Sequence, residues 1–537
     1  MNNETIQARP SARTQRVDGK TTASVAVPRL VTPAVLLVAI TSGFIVLGGG
    51  SLELTDSEAR LGLAAGESVG PLAQVFGGWD PTLAPGKVLI SQLWAWLDGG
   101  TSTGAVRWPS ALAAVAIGLL MARRLTQVLG ERAGVLACLA ILGTLGMIDG
   151  SALLGIDAMA GLAIIGSLDR ILSRGSDWIA GLWAAGAILL GGWPALAIVL
   201  LCVIVIGRPG GATSMRLVVP PVAAFLAWSI WAIASTRAEV WAAALTWPVT
   251  QPSSRSLAPW ALGAGLPWAP LALIWGWPSI RESWDDEARS LVRGWLQVAG
   301  ISVLAGTLIP GLSSVCTVPI LVGLAITASA SLDRAWTGGL PAGPRWSVTI
   351  LATILGLGWA GLAVYSGAYM AAAQPYYRIV AFVLLILGLG TGLMALDVIS
   401  KGSTRGAVRV LILVAIGLKV AHSDVYVTET NYRFGKGPWG RAVGQYVPPR
   451  SPIYITHDIS PALALATEHP VRRLRTEVHL KAEPGEGPKF VLLTLPEFEH
   501  WPDLAPKILK VRVFQDEYGG TRVLARTEGR LIRRDQE

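Results

Sequence analysis

The chain has 537 residues, of which 52% are hydrophobic and 15% are charged, and its formal net charge is +9. Soluble domains carry about 25% charged residues, so this composition excludes an ordinary soluble protein and indicates a polytopic membrane protein. In such a protein an excess of Lys and Arg sets the orientation in the membrane. Basic and aromatic residues are not interleaved, so we expect no nucleic-acid partner.

The N-terminal arm, residues 1–29, is polar and basic, and the first apolar run starts near Leu30. No cleavable signal peptide is recognisable, so the pattern predicts a cytoplasmic tail followed by a retained signal anchor. From there to residue 427 the chain is predicted to form the transmembrane domain.

A bilayer core requires roughly 20 apolar residues per helix, and on this criterion we predict about thirteen spans. The fifth and sixth form one apolar stretch, which we divide at Gly191-Gly192-Trp193-Pro194 because this tetrapeptide is a turn signal. The predicted spans are 30–49, 106–125, 131–150, 157–173, 177–192, 193–207, 215–235, 259–278, 293–311, 314–332, 345–366, 378–398 and 407–427.

The loops between these spans alternate in charge. Loops after even-numbered spans carry Arg or Lys, whereas the short loops 191–194 and 311–314 carry neither. The positive-inside rule therefore predicts a cytoplasmic N-terminus, with the long loop 51–105 and the C-terminal segment on the outer, periplasm-like side.

After residue 428 charged residues become frequent and apolar runs shorten. We predict a small extracytoplasmic α/β domain at 428–537, so the fold class is mainly α with an appended α/β domain. Its predicted strands are 451–458, 488–495 and 521–527, and its predicted helical or turn segments are 461–469 and 495–504.

The loop 51–105 is rich in both acidic and apolar residues, and we predict that 56–66 and about 88–97 form short helices lying on the membrane surface, neither of them long enough to span it. Asp56 and Glu58 lie near its start, and Glu67 follows. Carboxylates at the mouth of a helix bundle suggest function. The alternative is a solvated acidic loop with Thr55 or Asp56 as a helix N-cap.

Other charged residues are expected at the same outer face. Asp157 opens the fourth span and could equally be a helix N-cap, while Arg107 and Arg378 could simply anchor helix ends at the interface. The outer-face cations are Arg60, Lys87, Arg107, Arg255 and Arg378.

Motifs for nucleotide or metal binding are missing from the sequence. We find no P-loop, no dinucleotide-binding glycine pattern and no HExxH motif. The three cysteines lie in apolar runs without metal-ligand spacing, and the five histidines lie in or beside the C-terminal segment, where we expect surface residues without a catalytic role.

The order of these features resembles the bacterial GT-C glycosyltransferases of the aminoarabinose transferase and protein O-mannosyltransferase type. The matching segments are Asp56-Ser57-Glu58-Ala59-Arg60, Gly86-Lys87-Val88-Leu89, Val106 to Leu112 (VRWPSAL), Ala122-Arg123-Arg124-Leu125, Ile156 to Met159 (IDAM), Ala264 to Trp268 (AGLPW) and the small C-terminal domain at Pro488 to Arg526.

The resemblance implies a GT-C fold and transfer of a sugar from a polyprenyl-phosphate donor to a lipid, glycan or protein acceptor at the outer leaflet. It implies Asp56 or Glu58 as the base and Asp157 as an assisting carboxylate. Arg60, Lys87, Arg107, Arg255 and Arg378 would bind substrate phosphate. It assigns no metal ligand, although a divalent metal would be compatible with it.

The sequence departs from the family pattern at three places. Ser57 stands where the family has the Asp before Glu, and a shift of one residue along a helix rotates a side chain by about 100°. The family has a lysine in each of two further segments, and the corresponding stretches of this chain, Gly191 to Pro194 and Ser314 to Pro319, contain none. The alternatives to a transferase are therefore a non-catalytic GT-C homologue and, from another class, a transporter or flippase.

Overall fold

The computed structural model describes residues 84–98, 103–144, 146–147, 157–206, 215–235, 257–282, 284–373, 378–427, 429, 436–449, 451–456, 459–474, 476–482, 487–515 and 520–528. The predicted first span and residues 56–66, which we expected to form a short helix, lie outside this part of the chain.

Helices dominate the described residues as far as residue 427, as the apolar sequence predicts. Their bounds are α1 (Pro85–Asp98), α2 (Thr103–Leu129), α3 (Glu131–Leu142), α4 (Asp157–Leu172), α5 (Asp177–Ile206), α6 (Met215–Ser235), α7 (Leu257–Ala264), α8 (Ala269–Ala272), α9 (Pro278–Glu282), α10 (Asp286–Leu308), α11 (Ser313–Thr337), α12 (Ala342–Ala373), α13 (Arg378–Lys401) and α14 (Thr404–Val420). A 3₁₀ turn, Leu273–Gly276, follows α8, and one turn of π-helix, Ala421–Tyr426, extends α14.

Seven of the described helices are long and apolar enough to cross a membrane, or eight if a bent pair counts as one span. This confirms a polytopic membrane protein. Each predicted span after the first coincides with helical structure, but α3 and α4 have only 12 and 16 residues and fall below that length. The total of about thirteen spans stays a prediction.

Three predicted spans differ in detail from the helices observed. Helix α3 ends at Leu142, where Gly143 caps it, although the apolar run continues to residue 150. The span predicted at 259–278 is two short helices bent by 107° around Gly265 to Trp268, where Pro267 interrupts regular helix. Helix α5 contains the predicted break, because Gly192 has φ 72°.

Arginine-bearing loops meet at one end of the bundle. Arg132 Nη1 lies 3.9 Å from Asp333 Oδ1, and Arg405 Nε donates to the Trp336 carbonyl at 2.9 Å. Arg345 donates to the Gly402 carbonyl at 2.9 Å. The contacts join the start of α3, the end of α11 and the starts of α12 and α14. We call this the arginine end.

The opposite end contains the starts of α2, α4 and α11. A Cβ on Gly161 of α4 would lie 2.7 Å from the Val318 side chain of α11, so these two helix starts are in close contact. Helix α2 has 27 residues, about 40 Å at 1.5 Å per residue, so its start is far from the arginine end.

The C-terminal region forms a mixed five-stranded sheet, which confirms an appended α/β domain. Strand β1 is parallel to β2 and β3, while β5 is antiparallel to both β3 and β4. We predicted β1, β3 and β5 but missed β2 and β4. The bounds are α15 (Gly437–Gly444), β1 (Ile453–Ile455), α16 (Pro461–Ala466), β2 (Val471–Arg473), β3 (Phe490–Thr494), α17 (Leu495–Glu499), β4 (Ile508–Gln515) and β5 (Thr521–Thr527), in the sheet order β2-β1-β3-β5-β4.

Candidate active site

Helix α1 is a separate helix of 14 residues, too short to cross a bilayer, as we predicted for residues 88–97. Its outward face is apolar, and Trp96 at the end of that face is 77% exposed. The exterior of a membrane-embedded bundle faces hydrocarbon. An apolar outer face is therefore expected for a helix that lies at the lipid interface. The exposed large apolar residues of α1 are Leu89, Leu93, Trp96 and Leu97.

The opposite face of α1 is polar and buried. Lys87 is only 7% exposed, Ser91 1% and Gln92 5%. Ser91 follows Lys87 by four residues and lies on the same side of the helix, while Gln92 is turned about 140° around the axis from Lys87. Helix α1 therefore directs a cation, a hydroxyl and an amide towards the interior of the bundle.

Helices α1 and α2 form a hairpin, since only residues 99–102 separate them. Trp94 and Trp108 stack across it with ring centroids 6.4 Å apart, which sets the register of the two helices. Ser110, two residues after Trp108, is 4% exposed. The start of α2 thus carries a further buried polar side chain.

The start of α1 lies against the break in α5. A Cβ on Gly86 would be 2.8 Å from the Leu189 carbonyl oxygen, so the two backbones touch where only glycine fits. Gly191 and Gly192 follow directly, and a Cβ on Gly191 would be 2.9 Å from the Ala160 Cβ of α4. Lys87 is therefore held at the level of the α5 break.

Helix α4 brings Asp157 to the same end of the bundle. Asp157 is its first residue, and the next two, Ala158 and Met159, are buried in a cluster with Ala113 of α2, packed by Ile90 of α1. The start of α4 thus lies beside the α1–α2 hairpin. The Asp157 side chain itself lies outside the described part.

Three of the eight residues that we predicted for the site lie on helices that meet. They are Lys87 on α1, Arg107 in the first turns of α2 and Asp157 at the start of α4. Arg378 is exposed at the start of α13, which packs mainly on α12 and α14. Asp56, Glu58, Arg60 and Arg255 lie outside the described residues.

Ser91, Gln92 and Ser110 were missed by our sequence analysis as site residues. Their hydroxyl and amide atoms are buried, and none has a hydrogen-bond partner among the described residues. The amphipathic pattern of α1 was visible in the sequence, but the pattern does not tell which face a membrane protein buries. The described residues contain no group of three His, Cys, Asp or Glu side chains that could hold a metal.

The fold that carries this site is the GT-C fold. Apo ArnT from Cupriavidus metallidurans is similar to this chain with a TM-score of 0.65 and 17% identity, over 92% of this chain and 97% of that one. The same ArnT bound to undecaprenyl phosphate gives a TM-score of 0.62 and 16% identity over the same shares. At these identities the similarity establishes the fold, which confirms our prediction.

A weaker similarity links the chain to a second solved structure. The Archaeoglobus fulgidus oligosaccharyltransferase tethered to an acceptor peptide gives a TM-score of 0.40 and 12% identity, over 86% of this chain and 69% of that one. No protein-family model matches the chain, and no curated protein matches it.

Proposed function

We propose that this protein is an integral membrane glycosyltransferase that moves a sugar from a polyprenyl-phosphate donor to a lipid, glycan or protein acceptor at the outer membrane face. The observation that carries the proposal is the GT-C fold over 92% of the chain together with the buried cationic face of α1. The bound state of ArnT supports a polyprenyl phosphate as the lipid part of the donor.

The proposed reaction is a direct displacement at the anomeric carbon of the donor. The acceptor hydroxyl oxygen forms a bond to that carbon while the bond to the phosphate oxygen breaks, and polyprenyl phosphate leaves with the electron pair. One attack from the face opposite the leaving group inverts the anomeric configuration. Asp56 or Glu58 accepts the hydroxyl proton, and Asp157 positions or assists.

The leaving phosphate requires cations, and the proposal assigns them to Lys87 and Arg107, with Arg60, Arg255 and Arg378 as further candidates. Charge-assisted hydrogen bonds to phosphate are stronger than neutral ones, and they stabilise the charge that develops on the leaving group. The position of Lys87 is fixed by the packing of α1, because the backbone contact at Gly86 and the burial of one face of α1 hold this helix against the break in α5.

A divalent metal would add to this stabilisation of the phosphate. Carboxylate oxygens are its usual protein ligands, and the loop acids Asp56 and Glu58 with Asp157 have suitable chemistry. The proposal needs no metal, because lysine and arginine can neutralise the phosphate themselves.

The second candidate is a GT-C homologue that binds the lipid donor without turning it over. The observation that favours it is the replacement at Ser57 and the missing lysines at Gly191 to Pro194 and Ser314 to Pro319. These changes affect the proposed base and the cations near the α5 break, while the fold is retained.

Mass spectrometry of lipid-linked sugars and envelope glycans tests the proposal in cells that lack the protein. We expect one polyprenyl-phosphate sugar to accumulate and one glycan modification to disappear, and both to return with the wild-type chain. Unchanged profiles would overturn the transferase function. Full restoration by a chain carrying both Asp56→Asn and Glu58→Gln would favour the binding homologue instead.

A further inference from the structure

Two arginines of α14 contact the same tryptophan at the arginine end. Arg405 Nε donates to the Trp336 carbonyl at 2.9 Å, and Arg409 Cζ lies 5.8 Å from the centroid of the Trp336 ring. The two arginines are four residues apart, so they lie on the same face of α14, about 6 Å apart along its axis. Both are exposed. A ligand that lies beside α14 can therefore reach both guanidinium groups.

Neither guanidinium group is neutralised by an acid of the described residues. The helices that pack on α14 are α11, α12 and α13, and they contain only two acids. Each of these acids lies beside another cation, in the pairs Asp333–Arg132 and Asp397–Lys401. Arg405 also lies in the first turn of α14, where the helix dipole disfavours a cation. An anion bound between Arg405 and Arg409 would neutralise this charge.

The same face of α14 continues as an apolar stripe, formed by Ile412, Leu413 and Ile416. These residues follow Arg409 by three, four and seven positions, so they lie within about 60° of it around the helix. Ile416 is 48% exposed, and the other two are half-buried. The apolar stripe covers the stretch from about 5 to 10 Å beyond Arg409, away from the arginine end. One face of α14 thus has two cations at the end of the bundle and apolar side chains directly below them.

This order of charge and apolar surface fits an anionic phospholipid. Its phosphate accepts hydrogen bonds from a guanidinium group through two oxygens at once, and its acyl chains extend from the headgroup into the hydrocarbon. Tryptophan is common at the depth of the headgroups. A soluble anion would not contact the apolar stripe, and a zwitterionic lipid carries its own cation beside the phosphate.

We propose that Arg405, Arg409 and Trp336 bind the phosphate of an anionic phospholipid in the leaflet at the arginine end, with one acyl chain along the apolar stripe. This site lies at the opposite end of the bundle from α1. It goes beyond the proposed function and does not depend on it, because no step of sugar transfer involves these residues.

Native mass spectrometry of the purified full-length protein in detergent tests this site. The probes are phosphatidylglycerol and phosphatidylcholine with the same acyl chains, and the dissociation constant is measured for the first lipid bound. We expect wild type to bind phosphatidylglycerol about tenfold more tightly. Arg405→Gln and Arg409→Gln should each weaken its binding about fivefold, and the double variant about twentyfold, while the affinity for phosphatidylcholine stays the same.

The matched control removes two other exposed arginines from the same end, in a chain carrying both Arg281→Gln and Arg293→Gln. Helix α10 packs on α11 and is joined to it by the short turn Pro310–Leu312, so the start of α10 lies beside the end of α11. This control has the same net charge as the Arg405 and Arg409 double variant, but it should bind phosphatidylglycerol as wild type does. Glycerophosphoglycerol, the same headgroup without acyl chains, should not displace the lipid.

Three results would overturn the site. They are equal affinity of wild type for the two lipids, equal loss in the two double variants, which would show attraction by net charge alone, and displacement by glycerophosphoglycerol, which would show binding of the phosphate without the acyl chain. Arg405→Gln also removes a hydrogen bond to the Trp336 carbonyl. If that variant does not fold, judged by its elution as a single species, Arg409→Gln decides by comparison with Arg293→Gln. Loss or retention of sugar transfer does not bear on any of these results.

Discussion

A hydroxyl group is a poor nucleophile until it loses its proton, so the proposed transfer needs a base, for which we propose Asp56 or Glu58. Asp56→Asn or Glu58→Gln should lower turnover about 10²–10⁴-fold, because the amide has nearly the same shape but is a far weaker base. A transfer assay with purified protein and the sugar-carrying lipid measures the loss.

The matched control in the same loop is Glu67→Gln, nine residues beyond Glu58 in the sequence, which should leave turnover unchanged. Protein yield and membrane insertion should be the same for all three variants. If turnover survives in both Asp56→Asn and Glu58→Gln, neither carboxylate is the base.

Single residues show how far sequence reasoning reaches in this site. Lys87 was predicted as an outer-face cation in Gly86-Lys87-Val88-Leu89, a segment that resembles the family's lysine segment, and the structure buries it. Ser91 and Gln92 gave no signal, because Ser and Gln are ordinary surface residues of soluble helices. Their significance appears only once the apolar face of α1 is seen to point outwards.

At the scale of elements, α1 should lie at the depth of the lipid interface with its polar face inwards. A spin label on Trp96→Cys, after replacement of the three buried native cysteines by alanine, should be relaxed by oxygen, which concentrates in lipid. A label on Ser91→Cys should be accessible neither to oxygen nor to a water-soluble nickel complex. The measurement is electron paramagnetic resonance in liposomes.

A label at Lys510, on an exposed position of β4, gives the reference for a site in water. If the label at residue 96 behaves like the one at residue 510, α1 does not lie in the interface.

Helix contacts within the bundle depend on glycines that leave room for tryptophan rings. A Cβ on Gly166 of α4 would lie 2.6 Å from the Trp183 ring of α5. Gly166→Ala should therefore destabilise the protein by about 1–3 kcal/mol, because the partly buried Trp183 indole must shift and repack its neighbours. Thermal unfolding in detergent should show a lower apparent Tm.

Gly358→Ala on α12 is the matched control, since no atom lies within 4 Å of the added methyl group. This substitution should leave Tm unchanged or raise it, because alanine favours helix. Equal losses at both positions would show that packing against Trp183 is not the cause.

Helix boundaries could be predicted from the sequence where glycine and proline interrupt an apolar run. The break at Gly192 was predicted from Gly191 to Pro194, and the structure has a left-handed residue there. The bend at Gly265 to Trp268 was missed, since its apolar residues continue without a polar interruption. Strand β4 was missed although its apolar residues alternate, because we gave weight only to the longer apolar runs.

The whole molecule has two chemically different ends. Arginines from loops separated by up to about 270 residues of sequence meet at the arginine end, where they bind helix carbonyls and carboxylates. The polar face of α1, the start of α4 and the α5 break lie at the other end. The alternation of basic loops in the sequence predicts that the arginines meet at one end. That α1, the start of α4 and the α5 break lie together could be seen only in the structure, because these helices are distant in sequence.

The last prediction concerns the orientation of these two ends in the membrane. Basic loops are retained in the cytoplasm, so the arginine end should be cytoplasmic and the C-terminal domain should lie outside. Helix α14 begins at Thr404, next to Arg405 at the arginine end, and with the π turn it has 23 residues, about 34 Å, enough to carry the chain across. Reporter fusions after Arg334 and after Thr428 should therefore report inside and outside, respectively. The same side for both fusions would refute this topology, because α12, α13 and α14 are three spans between them.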